Sequence, residues 1–239
     1  MDINRGYKDA FFSTLHEMRD NNDMTDVVLR LHDQSTIHCH RFLLSVASPF
    51  FKNMFRSGLK ESTQKEVEME FENSDVMKMV IDYFYTGKID INDENASDIL
   101  FAADYLCLDE LKSQLETFMA KQVDVSNCIE LYRMAENYRL KRLKQDCFDF
   151  ILSQFEEVSE SDILEKLTEG EIVKVVSDDH LQIQNEDIVY NSVIRWVKAD
   201  QKQRGKALKR MLPLIRFPLC SQECLANATC EPLMMEPKC

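Results

Sequence analysis

Glycine is scarce in this 239-residue chain. The five copies, Gly6, Gly58, Gly87, Gly170 and Gly205, lie far from one another. That spread excludes GxGxxG, the Walker A pattern and GxSxG. A phosphate cradle built from backbone N–H groups uses glycines a few residues apart, and this chain has no such pair. Proline is equally rare, with five copies. So few breakers predict long helices with little irregular loop. No run of about 18 uncharged apolar residues occurs, so no membrane-spanning helix is expected. The opening MDINRGYKDAFF carries charge throughout and has no apolar stretch, so a secretory signal is not expected. The eight cysteines, Cys39, Cys107, Cys128, Cys147, Cys220, Cys224, Cys230 and Cys239, are accordingly expected as reduced thiols in the cytoplasm or the nucleus.

What is present is acid and apolar bulk. Lys and Arg total 29 against 42 Asp and Glu, a net charge of −13, while 44% of the residues are hydrophobic. That apolar content supplies real cores and marks a globular chain. An acidic body repels phosphate backbones and anionic lipid, so neither nucleic acid nor membrane is an expected partner, and a basic protein surface suits it better.

Local patterns divide the chain. Tyr7 to Arg19 is predicted as an amphipathic helix with Phe11, Phe12, Leu15 and Met18 on one face, a stripe that needs a partner surface. Residues 26–31 and Thr36-Ile37-His38-Cys39 are predicted strands around a turn at 32–35. Ser48-Pro49 places an N-cap before a first-turn proline, and Gly58 suits the end of that helix. Residues 66–71 alternate as a strand, and Asn73-Ser74-Asp75 caps a helix that Thr86-Gly87 ends. From Ala96 onward the pattern is helical, with a break near Leu108-Asp109. Further starts are expected at Asp124 to Asn127, at Ser159 to Asp162 and at Thr168 to Glu171, the last two as capping boxes or close to them. Asn185-Glu186-Asp187 opens another helix, carrying Val189, Val193, Trp196 and Val197. Composition shifts from mixed α/β to all-α near residue 120, and Gln122-Val123-Asp124 is too short for a flexible linker.

Chemistry-bearing motifs are few. His16-Glu17 continues as Met18-Arg19-Asp20, which is not HExxH. Cys220-x3-Cys224-x5-Cys230 has the residue type for zinc but lacks a CxxC pair and a companion histidine cluster. Cys107, Cys128 and Cys147 fall on helical patterns and are expected as small core residues. The basic stretch Lys198, Lys202, Arg204, Lys206, Lys209 and Arg210 is expected as a solvated helix face. No catalytic residue, cofactor or metal is expected.

The order of elements, with Thr25-Asp26-Val27-Val28-Leu29, His40-Arg41-Phe42-Leu43-Leu44, Ser48-Pro49-Phe50-Phe51, Met54-Phe55 and Tyr85-Thr86-Gly87-Lys88 in sequence, resembles a BTB/POZ domain. The second half resembles a BACK domain through residues 127–132, Ala135-Glu136, residues 185–190 and Arg195-Trp196-Val197. Over nearly its whole length the chain is identified as a member of the Kelch-like (BTB-BACK) family. The resemblance implies an α+β BTB/POZ domain over 1–121 and an all-α BACK domain over 122–239, the latter including the 3-box helix pair at about 126–155. Kelch-like proteins continue into a six-bladed kelch propeller. No kelch repeat stands in this chain, so either it is a fragment or the substrate-reading module has been lost.

The same resemblance implies a non-catalytic substrate adaptor of a cullin-3 RING E3 ubiquitin ligase, homodimeric through BTB. Kelch-like proteins that recruit cullin-3 share a hydrophobic–any–glutamate motif after the third BTB helix. Leu59-Lys60-Glu61 stands there, just past Phe55 and Gly58. The resemblance therefore assigns Leu59, Glu61 and Phe55 to the cullin-3 N-terminal domain, with Leu59 as an apolar plug and Glu61 as a hydrogen-bond acceptor. The 3-box pair extends that surface. Taken alone, the tripeptide is an ordinary exposed loop. Asp26 and Arg41 resemble a charged pair near the dimer floor and join Phe11, Phe12, Leu15 and Met18 as the expected dimer interface; otherwise they are a solvated strand-end aspartate and helix-start arginine. Expected partners are the cullin-3 N-terminal domain, a second copy and an unnamed substrate protein. The rival expectation is a dimeric BTB scaffold or transcriptional co-regulator with no ligase role.

Overall fold

A computed structural model describes residues 3–58 and 60–235, with side chains described from Gly6 to Leu233 in that span. The chain divides into two compact units between Phe118 and Met119.

The first unit mixes helix and sheet. Helix α1 spans Ile3–Asp20, strand β1 Val27–Arg30, β2 Thr36–Cys39, helix α2 Arg41–Ala47 and α3 Pro49–Arg56. A 3-10 turn at Lys60–Ser62 leads to β3 at Glu66–Glu68, and α4 (Ser74–Thr86), α5 (Ala96–Tyr105) and α6 (Asp109–Ala120) follow. The sheet order is β2-β1-β3: β1 pairs antiparallel with β2, Val27 opposite Cys39, and parallel with β3, Leu29 opposite Val67. Alternation explains the central strand. Val27 and Leu29 are buried while Val28 and Arg30 are half-exposed. Strand β3 is shorter than its alternating pattern over 66–71. Its partner β1 ends at Arg30, whose carbonyl takes the last ladder bond from Met69 N–H at 2.9 Å. Phe71 then leaves the sheet and packs against Phe101 and Tyr105.

Local capping works as the residues suggest. Ser48 is fully buried; its Oγ accepts from Phe51 N–H and donates to the Leu106 carbonyl at 2.7 Å, tying the start of α3 to the end of α5. Asn73 Oδ1 accepts from Val76 N–H to start α4. Gly87 closes α4 with φ of 65°, a left-handed conformation that glycine adopts without strain. A Cβ there would stand 2.9 Å from the Phe12 ring, so this glycine also lets α1 lie close to the end of α4.

The second unit is helical: α7 Cys128–Asn137, α8 Lys141–Ser153, α9 Phe155–Glu160, α10 Ile163–Lys166, α11 Glu169–Val176, α12 Asp187–Ala199, α13 Gln201–Met211, α14 Gln222–Cys230 and α15 Pro232–Met235. Two 3-10 turns, Leu212–Leu214 and Phe217–Leu219, join α13 to α14. Thr168 and Glu171 form a full capping box at α11. Ser159 does not cap. It sits in the last turn of α9 with its hydroxyl donating to the Glu156 carbonyl, because α9 already runs through that position. Trp196, 2% exposed, donates from Nε1 to the Leu167 carbonyl at 2.8 Å. The Arg204 guanidinium covers its ring at 4.4 Å. Among the described residues no helix is long and apolar enough to cross a membrane.

Candidate partner-binding site

Helices α2 and α3 present the segment that carries Glu61. The organising residue is Arg41. Its backbone N–H donates to Asp26 Oδ1 at 2.7 Å, so the carboxylate satisfies one of the open donors at the start of α2. Its guanidinium lies 4.7 Å from the Phe55 ring and donates to the main-chain carbonyls of Glu61 and Ser62, each at 3.1 Å, and to that of Gln64. One side chain thus braces the whole turn after α3. Asp26 and Arg41 meet through the carboxylate and the Arg41 N–H and through Nε and the Asp26 carbonyl at 3.5 Å, not as a carboxylate–guanidinium ion pair, because main-chain carbonyls claim the guanidinium.

Glu61 is half-buried, and its carboxylate takes no hydrogen bond from any described residue. Phe55 is half-buried, stacked 5.8 Å from Phe51 and covered by Arg41. Leu59 lies outside the described residues. An open groove of about 650 Å³ runs from Glu61 along the free edge of β3, walled by Glu66, Glu68 and Glu70. Lys65 and Arg30 also line it, and Arg30 is bridged to Glu66.

The apolar stripe expected on α1 splits. Phe12 is half-buried against Gly87, and Leu15 and Met18 are half-buried too. Arg19 holds the same helix down, with a 2.6 Å bridge to Asp82 and its guanidinium 4.6 Å from the Tyr85 ring. Phe11 instead stays 47% exposed beside Tyr7. Sequence reasoning missed a second exposed apolar face: Phe42 is 80% exposed and Val46 68%, one helical turn apart on α2. The available signal was that α2, RFLLSVA, is apolar on nearly every side, which marks a helix buried on more than one face.

Thiols divide by burial. Burial pushes Cys39 and Cys147 up to about 12 and Cys128 to about 11, which keeps them protonated. Cys107 is not in the core: it is exposed in the left-handed turn between α5 and α6, with φ of 57°, since the helix break turns that position outward. In the basic stretch, Arg204 donates to the Trp196 and Glu165 carbonyls and Arg210 pairs with Glu169, while Lys202, Lys206 and Lys209 are exposed. One group of three metal-ligating side chains occurs among the described residues, Asp187, Cys220 and Cys224.

The BTB/POZ domain family matches residues 15–123, and the BACK family (BTB And C-terminal Kelch) matches residues 128–230. The chain thus carries a BTB/POZ domain followed by a BACK domain. Kelch-like protein 40 of Xenopus laevis is 32% identical over 213 residues, covering 89% of this chain and 34% of the relative. Kelch-like protein 7 of Homo sapiens is 32% identical over 232 residues, covering 96% and 39%. Kelch repeat and BTB domain-containing protein 8 of Xenopus tropicalis is 30% identical over 214 residues, covering 89% and 35%. The chain belongs to the BTB-BACK family of Kelch-like proteins, and it spans roughly a third to two fifths of the length of these relatives.

Proposed function

We propose that this chain is the BTB-BACK part of a non-catalytic substrate adaptor for a cullin-3 RING E3 ubiquitin ligase, acting in the cytoplasm or nucleus. It self-associates through its BTB half and binds the cullin-3 N-terminal domain through Leu59, Glu61 and Phe55. The observation that carries this reading is the position of the hydrophobic–any–glutamate motif directly after α3, in a BTB domain of the Kelch-like family, with no described residue donating to the Glu61 carboxylate. Leu59 enters on the sequence pattern alone. The acidic groove beside Glu61 adds complementarity for a basic partner surface. The exposed pair Phe42 and Val46, with Tyr7 and Phe11, supplies apolar surface for self-association. An obligate interface buries roughly 2,000 Å² or more in total.

Calorimetry with the purified cullin-3 N-terminal domain tests the reading. Truncating a central anchor costs about 2 kcal/mol or more, about thirtyfold in affinity, and Leu59→Asp should do worse by placing an unpaired charge in an apolar pocket. Glu61→Ala should weaken binding, and Lys60→Ala should not. Unchanged binding by Leu59→Asp, or no binding by the parent protein, leaves the dimeric scaffold or transcriptional co-regulator instead.

A further inference from the structure

Asp187, Cys220 and Cys224 come from separate places in the second unit. Asp187 is the first residue of α12, Cys220 follows the 3-10 turn at Phe217–Leu219, and Cys224 lies in the first turn of α14. A carboxylate oxygen and the two Sγ atoms all lie within 4.8 Å of one another. Ser221 ties the group together: its N–H donates to Asp187 Oδ1 at 2.8 Å and its hydroxyl to Oδ2 at 2.6 Å. The same hydroxyl oxygen accepts from Cys224 N–H at 3.1 Å. These bonds orient the carboxylate as outer-shell partners orient a metal ligand, and the Cys224 thiol also bonds it, at the place where an ion would replace the thiol proton.

Helices α12 and α14, of 13 and 9 residues, both begin at this point. Their N-terminal ends carry positive potential, while burial and the Asp187 charge hold the two thiols protonated until an ion displaces their protons. Cys224 is 5% exposed, whereas Cys220 and Asp187 are half-buried, so one side is open for an ion and a water to enter. In a tetrahedral zinc complex two sulfurs and a carboxylate oxygen stand about 3.6 to 3.8 Å apart, given Zn–S near 2.3 Å and Zn–O near 2.1 Å. The three donors, all within 4.8 Å of one another, stand about an ångström or less beyond that spacing.

We propose that Asp187, Cys220 and Cys224 bind one thiophilic divalent cation of the zinc class, with water in the fourth position. Two soft sulfurs select against magnesium and calcium, which take oxygen ligands. The run Cys220-x3-Cys224-x5-Cys230 argued against a metal because it lacks a CxxC pair and a companion histidine cluster; the fold instead brings a carboxylate from α12 to the first two cysteines. The proposal does not depend on the adaptor role.

Cobalt(II) titration of the reduced full chain under argon, with a phosphine reductant, tests it. The expected result is a thiolate-to-cobalt charge-transfer band that saturates at one equivalent and is abolished by adding zinc. Cys220→Ser should weaken binding at least tenfold, Asp187→Asn should weaken it while retaining the band, and Cys230→Ser, at the exposed far end of α14, should change nothing. Zinc should raise the melting temperature of the parent protein and not that of Cys220→Ser, which separates ligation from a folding defect. No band at one equivalent, or a band unaffected by Cys220→Ser, overturns the site.

Discussion

Asp26 Oδ1 accepts the backbone N–H of Arg41 at 2.7 Å, while the Arg41 guanidinium donates to the Asp26 carbonyl at 3.5 Å and to the carbonyls of Glu61 and Ser62 at 3.1 Å. Strand β1, the start of α2 and the turn carrying Glu61 are therefore held by two side chains. Arg41→Ala removes the guanidinium bonds and the contact with Phe55. A loss of about 1.5 to 3 kcal/mol in stability is expected, the range for hydrogen bonds to a charged group. Faster amide exchange over residues 60–65 should accompany it. Arg41→Lys keeps the charge but not the planar fork and should restore only part of both. Denaturant titration with exchange mass spectrometry checks this; unaltered exchange in Arg41→Ala would refute the bracing role.

Gly87 and Phe12 are coupled by contact. Gly87→Ala places a Cβ 2.9 Å from the Phe12 ring at φ of 65° and should destabilise by about 1 kcal/mol or more. Part of that cost is steric, so Phe12→Ala combined with Gly87→Ala should cost less than the two changes summed. Strict additivity in the double-mutant cycle would mean that α1 does not press on this turn.

Self-association is expected to rest on the exposed apolar side chains. Phe42→Glu and Val46→Glu are surface changes and should leave the melting temperature within a degree or two, yet shift the protein from dimer to monomer. Sedimentation equilibrium reads the outcome. A monomeric parent protein would remove the self-association reading altogether.

Acid should destabilise through carboxylates held below their ordinary values. Asp33 is lowered first by the Ser35 hydroxyl and then by the Lys78 ammonium; Asp124 is lowered first by the Ser126 hydroxyl. For Glu171, burial works to raise the carboxyl, but the Arg133 guanidinium and Thr168 outweigh it and hold it low. A depressed folded pKa means that the unfolded chain binds more protons in acid. The stabilisation is complete above the unfolded values of 3.8 for Asp and 4.5 for Glu, and it is lost as pH falls through the folded ones. Denaturant midpoints should fall from about pH 5 downward, less steeply in Asp33→Asn. A midpoint unchanged between pH 5 and pH 3 would contradict this.

Alkylation should follow burial. At pH 8 iodoacetamide should label Cys107 and Cys230 first, both exposed, while Cys39, Cys128 and Cys147 react only on unfolding because burial holds them as thiols. Peptide mapping by mass spectrometry reads the order, and early labelling of Cys147 would contradict it.

Sequence by itself determined the parts whose energetics are local. The β1–β2 hairpin, the Ser48-Pro49 start of α3, the Asn73 cap, the Gly87 stop and the Thr168–Glu171 box each depend on residues a few positions apart, so their patterns were legible. The BTB and BACK fragments, and the place of Glu61 after α3, were legible through their resemblance to the family's ordered pattern. Tertiary structure alone decided the rest. The length of β3 is set by its parallel partner β1, and the outward face of α2 is set by what covers Leu44. The carbonyls of the 61–64 turn fix the direction of Arg41, and the fold folds Asp187 back onto Cys220 and Cys224. Each of these joins residues far apart in the chain, where sequence spacing carries no geometric information until the fold closes the distance.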